Sequence, residues 1–196
     1  MDRVQLKSMA KEQIKGKIWN LLAVMLIIYV IIWAASLILG MIPYVGALLG
    51  AVVVMPMTIS LIRIYLAVVN EDKKPQIADA FGGYDDAWSA IKVSLLVTAF
   101  TYLWSLLFIV PGIIKYCSYS QAYYILAENK GMSAIEAINR SKAMMEGHKM
   151  DFFILGLSFI GWGIVGLITL GVAYIWIMPY MQATYTNFYN SIKPKV

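Results

Sequence analysis

The chain has 196 residues, 61% of them hydrophobic and only 14% charged, and its formal net charge is +5. Soluble domains carry about 25% charged residues and must face water over much of their surface, so the expected solvent here is lipid. The basic balance does not point to nucleic acid, whose binders cluster Lys and Arg beside exposed aromatics; here the charges stand between long uncharged stretches, and no Pro-, Gly- or Ser-rich linker divides residues 1–196 into more than one domain.

The first expected element is an amphipathic helix over about residues 2–17. Arg3, Lys7, Lys11 and Lys15 recur every four residues, opposite Leu6, Met9, Ala10 and Ile14. Such a stripe suits an anionic leaflet, where each cation contributes about 1 kcal/mol. It also serves as an ordinary positive-inside signal, which is the favoured reading. The apolar run that follows is too long for a signal-peptide core and lacks a small-residue cleavage site.

Residues 18–62 and 152–192 contain no charge, and 93–127 contain only Lys115. A helix needs about 20 residues to cross the hydrocarbon, so each stretch is expected to cross twice. Turn signals stand near their middles: Pro43 between Gly40 and Gly46, Pro111 with Gly112, and the glycines 161, 163, 166 and 171. The expected fold is an all-α integral membrane bundle of six transmembrane helices in three hairpins. The spans lie at about 18–40, 45–69, 87–110, 112–129, 150–168 and 171–191. Fifteen of the sixteen Lys and Arg residues fall on one side of this layout, with Lys115 alone near a hairpin tip. The expected location is therefore the cell membrane, multi-pass, with both termini cytoplasmic.

Between the spans lie cytoplasmic-side amphipathic segments. Ser133 and Glu136 have capping-box spacing at the head of a helix over about 133–147. Ile77, Phe81, Tyr84 and Trp88 form a shorter apolar face interrupted by Gly82 and Gly83. The layout repeats about every 60 to 68 residues, and the returning spans end alike at Asn70, Asn129 and Asn190. A pseudo-threefold bundle follows from that repeat.

The fourth and sixth spans are polar for membrane helices. Tyr119 and Gln121 on one, and Gln182 and Thr186 on the other, are expected to face each other, with Lys115 above them at the outer end. Two readings stay open for these groups: hydrogen-bonded contacts between helices, or a polar cavity for a headgroup or small amphiphile. Lys115 is either an interfacial anchor or a ligand contact. Pro56 and Pro179 interrupt returning spans, as in broken transport helices and in ordinary bundles alike.

No catalytic residue, metal site or cofactor is expected. His148, the single histidine, stands among surface charges without a positioned nucleophile. No carboxylate lies deep in a span, no phosphate-binding Gly loop is present, and the lone Cys117 reads as a buried structural thiol.

Residues 111–129 and 140–162, with the opening stretch from Ala10 to Trp19 and the close from Pro179 to Tyr189, resemble the bacterial membrane family called domain of unknown function 975. The resemblance spans nearly the whole chain and implies a multi-pass membrane protein without an assigned activity. A more distant similarity, to the membrane domain attached to some glycerophosphodiester phosphodiesterases, points toward lipids. The expected function is a non-enzymatic bundle that binds membrane lipids, anionic ones included, or another membrane protein or a second copy of itself. The alternative is a small permease for an amphipathic or hydrophobic solute.

Overall fold

The computed structural model describes residues 3–41, 45–107 and 109–194, and the expected turn at Pro43 lies outside them. Among the described residues every regular element is helical. Helix α1 (Arg3–Ile14) turns at Gly16, whose φ of 78° suits glycine, into α2 (Ile18–Gly40). Helix α3 (Val45–Asn70) follows, then a 3-10 segment (Ile77–Asp86) that runs into α4 (Ala87–Leu107). The chain continues through α5 (Ile109–Tyr119), α6 (Ala122–Glu128), α7 (Ala134–Met144), α8 (Lys149–Leu157), α9 (Ile160–Ile168) and α10 (Tyr174–Ile192).

Among the described residues four segments are long and apolar enough to cross a membrane, not the six expected: Ile18–Leu39, Val52–Asn70, Ile77–Leu106 and Lys149–Ile168. The expected fourth span breaks at Ser120 and Gln121 into pieces of 11 and 7 residues, each too short alone. The expected sixth span is a continuous helix of 19 residues whose Tyr, Thr, Asn and Gln side chains make it too polar to qualify. The fifth also kinks, at Ser158 and Phe159, where the Ser158 hydroxyl turns back to Leu155 O at 2.6 Å. Leu170 (φ 50°) and Gly171 (φ 92°) make the turn between α9 and α10, and Gly171 N–H donates to Gly166 O at 2.8 Å.

The polar helices are the inner ones. Five of the seven α6 residues are buried, as are nine positions of α10, among them Thr184, Thr186 and Asn187. Helices α2, α4 and α9 instead expose large apolar side chains, including Leu26, Trp33, Leu103 and Leu167. Hydroxyls inside and leucines outside is the arrangement that lipid favours, since hydrocarbon cannot satisfy polar groups.

The three repeat ends meet. Asn190 Nδ2 donates to Asn70 Oδ1 at 2.6 Å, and Asn129 lines the same depression as Asn70, with Arg63, Glu128 and Lys193. A tyrosine precedes each asparagine by five residues: Tyr65, Tyr124 and Tyr185. Arg63 ties this end together, its Nε donating to Ala127 O at 3.1 Å and its Nη1 to Gly82 O, with Asp85 4.0 Å away.

The 3-10 segment packs tightly on α3. Gly83 N–H donates to Ser60 Oγ at 2.7 Å, and Tyr84 Oη donates to Val53 O at 2.9 Å. A methyl group at Gly83 would overlap the Pro56 carbonyl, so only glycine allows this approach. Helix α7 starts as its capping pattern implies, with Ser133 Oγ accepting from Glu136 N at 3.2 Å. The Glu136 carboxylate turns to Arg140 at 2.8 Å, one turn on, rather than back to the cap.

Candidate functional site

A cleft of about 1000 Å³ opens between α3, α4, α5, α6, α8 and α10. Its upper walls come from the C-terminal half of α4 and from α5, through Thr98, Thr101, Tyr102 and Ser105 on one and Ile113 and Tyr116 on the other. The lower part is closed by Tyr124 and Tyr185, with Gln182 above them on α10. Apolar surface comes from Leu61, Val97, Phe152, Phe153 and Met181. None of the lining residues is Asp, Glu, Lys, Arg or His.

Local backbone chemistry explains why the walls can be polar. Thr58, Ser105 and Ser120 donate their hydroxyls to carbonyls of their own helices, Val54 O (3.2 Å), Thr101 O (2.8 Å) and Cys117 O (2.8 Å). Their oxygens keep lone pairs available to an occupant. The Thr101 hydroxyl is enclosed with no partner among the described residues. Four helix irregularities border the cleft: Pro56 precedes Thr58, Pro179 precedes Met181, and the breaks at Ser120 and Ser158 adjoin Ser120 and Leu157.

The residues expected to form the site separate into three places. Gln182 lines the cleft, and Thr186, one turn below, donates to Gln182 O at 2.9 Å. Gln121 is 1% exposed and lies one bond behind the wall, its Nε2 donating to Ser120 Oγ at 2.9 Å. Its Oε1 has no partner among the described residues. Tyr119 faces away, its ring 6.1 Å from that of Phe100 and 5.6 Å from the Lys142 ammonium. Lys115 stands over the Trp104 ring at 4.4 Å, on the flank of the α4–α5 pair. Helices α6 and α10 do meet, but lower than expected, through Tyr124 and Tyr189 stacked at 5.1 Å.

The α4 wall escaped the sequence reading. Thr98, Thr101, Tyr102 and Ser105 follow i, i+3, i+4, i+7 spacing, the signature of one helical face, inside a stretch dominated by apolar residues. Cys117 is buried, as expected, and also lines the cleft.

The α1 cations divide as well. Lys7 donates to Ser158 O at 3.2 Å and lies 4.2 Å from the Phe159 ring centroid, capping the carbonyl end of α8. Burial lowers its pKa from the usual lysine range, and Arg3 and Lys11 add repulsion in the same direction. Lys11 lies 5.7 Å from the Tyr180 ring, while Lys15 and Arg3 remain exposed. His148, at the start of α8, is 3.5 Å from Asp151 and does not line the cleft. Among the described residues no group of His, Cys, Asp and Glu is placed to hold a metal ion.

Among families of known proteins, the one described as "Protein of unknown function (DUF975)" matches over residues 1–118 and 107–195. No curated protein and no solved structure matches the chain.

Proposed function

Because the chain belongs to the DUF975 family, whose description assigns no activity, we propose from the cleft itself that this is a non-enzymatic membrane bundle that binds an uncharged amphiphile. The observation that carries the reading is the cleft's composition: about 1000 Å³ walled by hydroxyl, amide and aromatic groups and by no ionic side chain. An ionic headgroup placed there would lose water without gaining a counter-charge, which costs several kcal/mol. A neutral headgroup would find lone pairs and hydroxyls on α4, α5 and α10, and its tail would lie on Leu61, Val97 and Phe152.

The topology that suits this reading has six crossings in three hairpins, with the helix ends that carry Arg63, Glu128, Lys130 and Lys193 in the cytoplasm. The broken α5–α6 and α8–α9 pairs each count as one crossing. Their freed backbone groups adjoin a protein-lined cleft, where irregular backbone is tolerated at membrane depth.

Purification of the full chain in mild detergent, followed by native mass spectrometry and lipid analysis, tests the reading. A retained neutral amphiphile, reduced in Thr101→Val and Gln182→Leu variants that keep their helical content, supports it. A protein that retains none, or whose retention ignores both substitutions, counts against it.

A second reading, a permease for such a molecule, draws support from the four irregularities around the cleft. Discontinuous helices frame the sites of many transporters. It requires the stacked tyrosines below the cleft to part.

A further inference from the structure

The opposite side of α10 carries a second crevice, unlike the first in its chemistry. It has a volume of about 380 Å³ and lies between the α1–α2 turn and the upper part of α9 and α10. Lys11, Lys15 and Gly16 form one end, and Trp162, Trp176 and Ile177 the other. The two sites are separated by α10 itself: Ile177 and Tyr180 face the crevice, while Met181, Gln182 and Tyr185 face the cleft.

Three features of the crevice belong together. Its two cations lack acidic partners: Lys15 has no ion pair or hydrogen bond from its side chain among the described residues, and Lys11 has only the Tyr180 ring, 5.7 Å away. No Asp or Glu lines it. Its far wall is apolar and outward-facing, with Trp162 41% and Trp176 50% exposed.

We propose that this crevice holds one anionic phospholipid, its phosphate between Lys11 and Lys15 and an acyl chain along Trp162, Trp176 and Ile177. The arrangement matches the molecule end for end. Lys11 and Lys15 stand beside the first residue of α2, at the basic end of the bundle, where headgroups lie. The tryptophans form the far wall, and indole faces pack well on hydrocarbon chains. A zwitterionic lipid would fit the apolar wall equally but brings its own cation to the two lysines. A free phosphate would meet the lysines without using the wall. The crevice therefore selects both for negative charge and for a tail. This site differs from the general stripe of four cations expected on α1, because Arg3 lies outside it and Lys7 is engaged at Ser158.

The proposal depends on membrane placement and not on what fills the cleft, so the two stand or fall separately. The test uses the full chain, delipidated in detergent and titrated with an equimolar mixture of phosphatidylglycerol and phosphatidylcholine, with bound lipid read by native mass spectrometry. The wild type should retain phosphatidylglycerol preferentially. The Lys11→Gln/Lys15→Gln variant should lose about thirtyfold of that preference, and Lys11→Arg/Lys15→Arg should keep it. Trp162→Ala/Trp176→Ala should lower retention of both lipids, and millimolar glycerol phosphate should displace neither.

Equal retention of the two lipids by the wild type overturns the proposal, as does an unchanged preference in the double Gln variant. So does an equal loss in Arg3→Gln, which would assign the attraction to the charge of α1 as a whole. Displacement by glycerol phosphate would mean that the lysines alone make an anion site. The double Arg variant guards against misfolding, since it changes the same positions and keeps the charge.

Discussion

The ring of Tyr124 on α6 stacks on that of Tyr189 on α10, centroids 5.1 Å apart and planes 23° from parallel. The Tyr189 hydroxyl then donates to Glu128 Oε2 at 2.7 Å, and Lys193 pairs with the same carboxylate at 2.5 Å. One contact thus joins two inner helices and links Tyr124, which lines the cleft, to the charged end of the bundle. Stacked aromatic pairs contribute about 0.5–1.5 kcal/mol beyond their buried area.

A double-mutant cycle on Tyr124→Leu and Tyr189→Leu should therefore show a coupling of about 1 kcal/mol in thermal or denaturant unfolding. Tyr189→Phe should keep the stack and lose only the bond to the Glu128 carboxylate, at a cost of about 1.5–3 kcal/mol. A coupling of zero would mean that the two helices are held by other contacts.

Gly83 and Gly82 make a matched pair. Alanine at Gly83 would strike the Pro56 carbonyl and displace the Ser60 hydroxyl, whereas alanine at Gly82 meets open space. Gly83→Ala should destabilise by about 1–3 kcal/mol, the usual range for overpacking. Gly82→Ala should be close to neutral. Unfolding midpoints measured in one detergent would compare the two, and equal values would contradict the tight crossing on α3.

Arg63 spans two carbonyls with two nitrogens, which a lysine cannot reproduce with one. Arg63→Lys should lower stability by about 1–3 kcal/mol, as expected for a lost hydrogen bond from a charged group. The Asp85–Lys130 pair, at 2.7 Å, is mostly exposed, and Lys130→Gln should cost under about 1 kcal/mol. If Lys130→Gln proves the costlier change, the role given to Arg63 is wrong.

The proposed topology predicts which positions meet an impermeant thiol reagent added outside. In a Cys117→Ala background, a cysteine at Leu170, which is 95% exposed in the α9–α10 turn, should react. Cysteines at Lys74 or Glu136 should not. Labelling of the latter two from outside would invert or break the six-crossing arrangement.

Much of the helix layout was legible because its signals are strong. Uncharged runs, the Pro111–Gly112 pair and Gly171 placed the expected spans within a few residues of the observed helices. The breaks at Ser120 and Ser158 were not legible, because Ser within an apolar run reads as a tolerated helix residue and side-chain bonding to the backbone decides only in place. The count of six departs from the four apolar spans of the described residues, because α5–α6 is broken at Ser120 and Gln121 and α10 is polar and inner. Gln182, singled out for its polarity in a lipid setting, lines the cleft. Tyr119 and Lys115 were misplaced, because the rotation of α5 turns them toward Phe100 and Trp104, and rotation depends on packing with α4 that no local pattern specifies. The α4 wall did carry a readable stripe, obscured by the apolar residues around it.

A hydroxyl-lined cleft that takes an uncharged amphiphile is open to water-soluble reagents until it is filled. A cysteine in place of Gln182, with Cys117→Ala, puts a thiol on its wall. The direct measurement is the rate at which a small water-soluble thiol reagent modifies it in lipid nanodiscs, with and without added diacylglycerol. The expected result is measurable modification that diacylglycerol slows several-fold and that an equal amount of phosphatidylglycerol does not. An unreactive thiol, or a rate that diacylglycerol leaves unchanged, would contradict it.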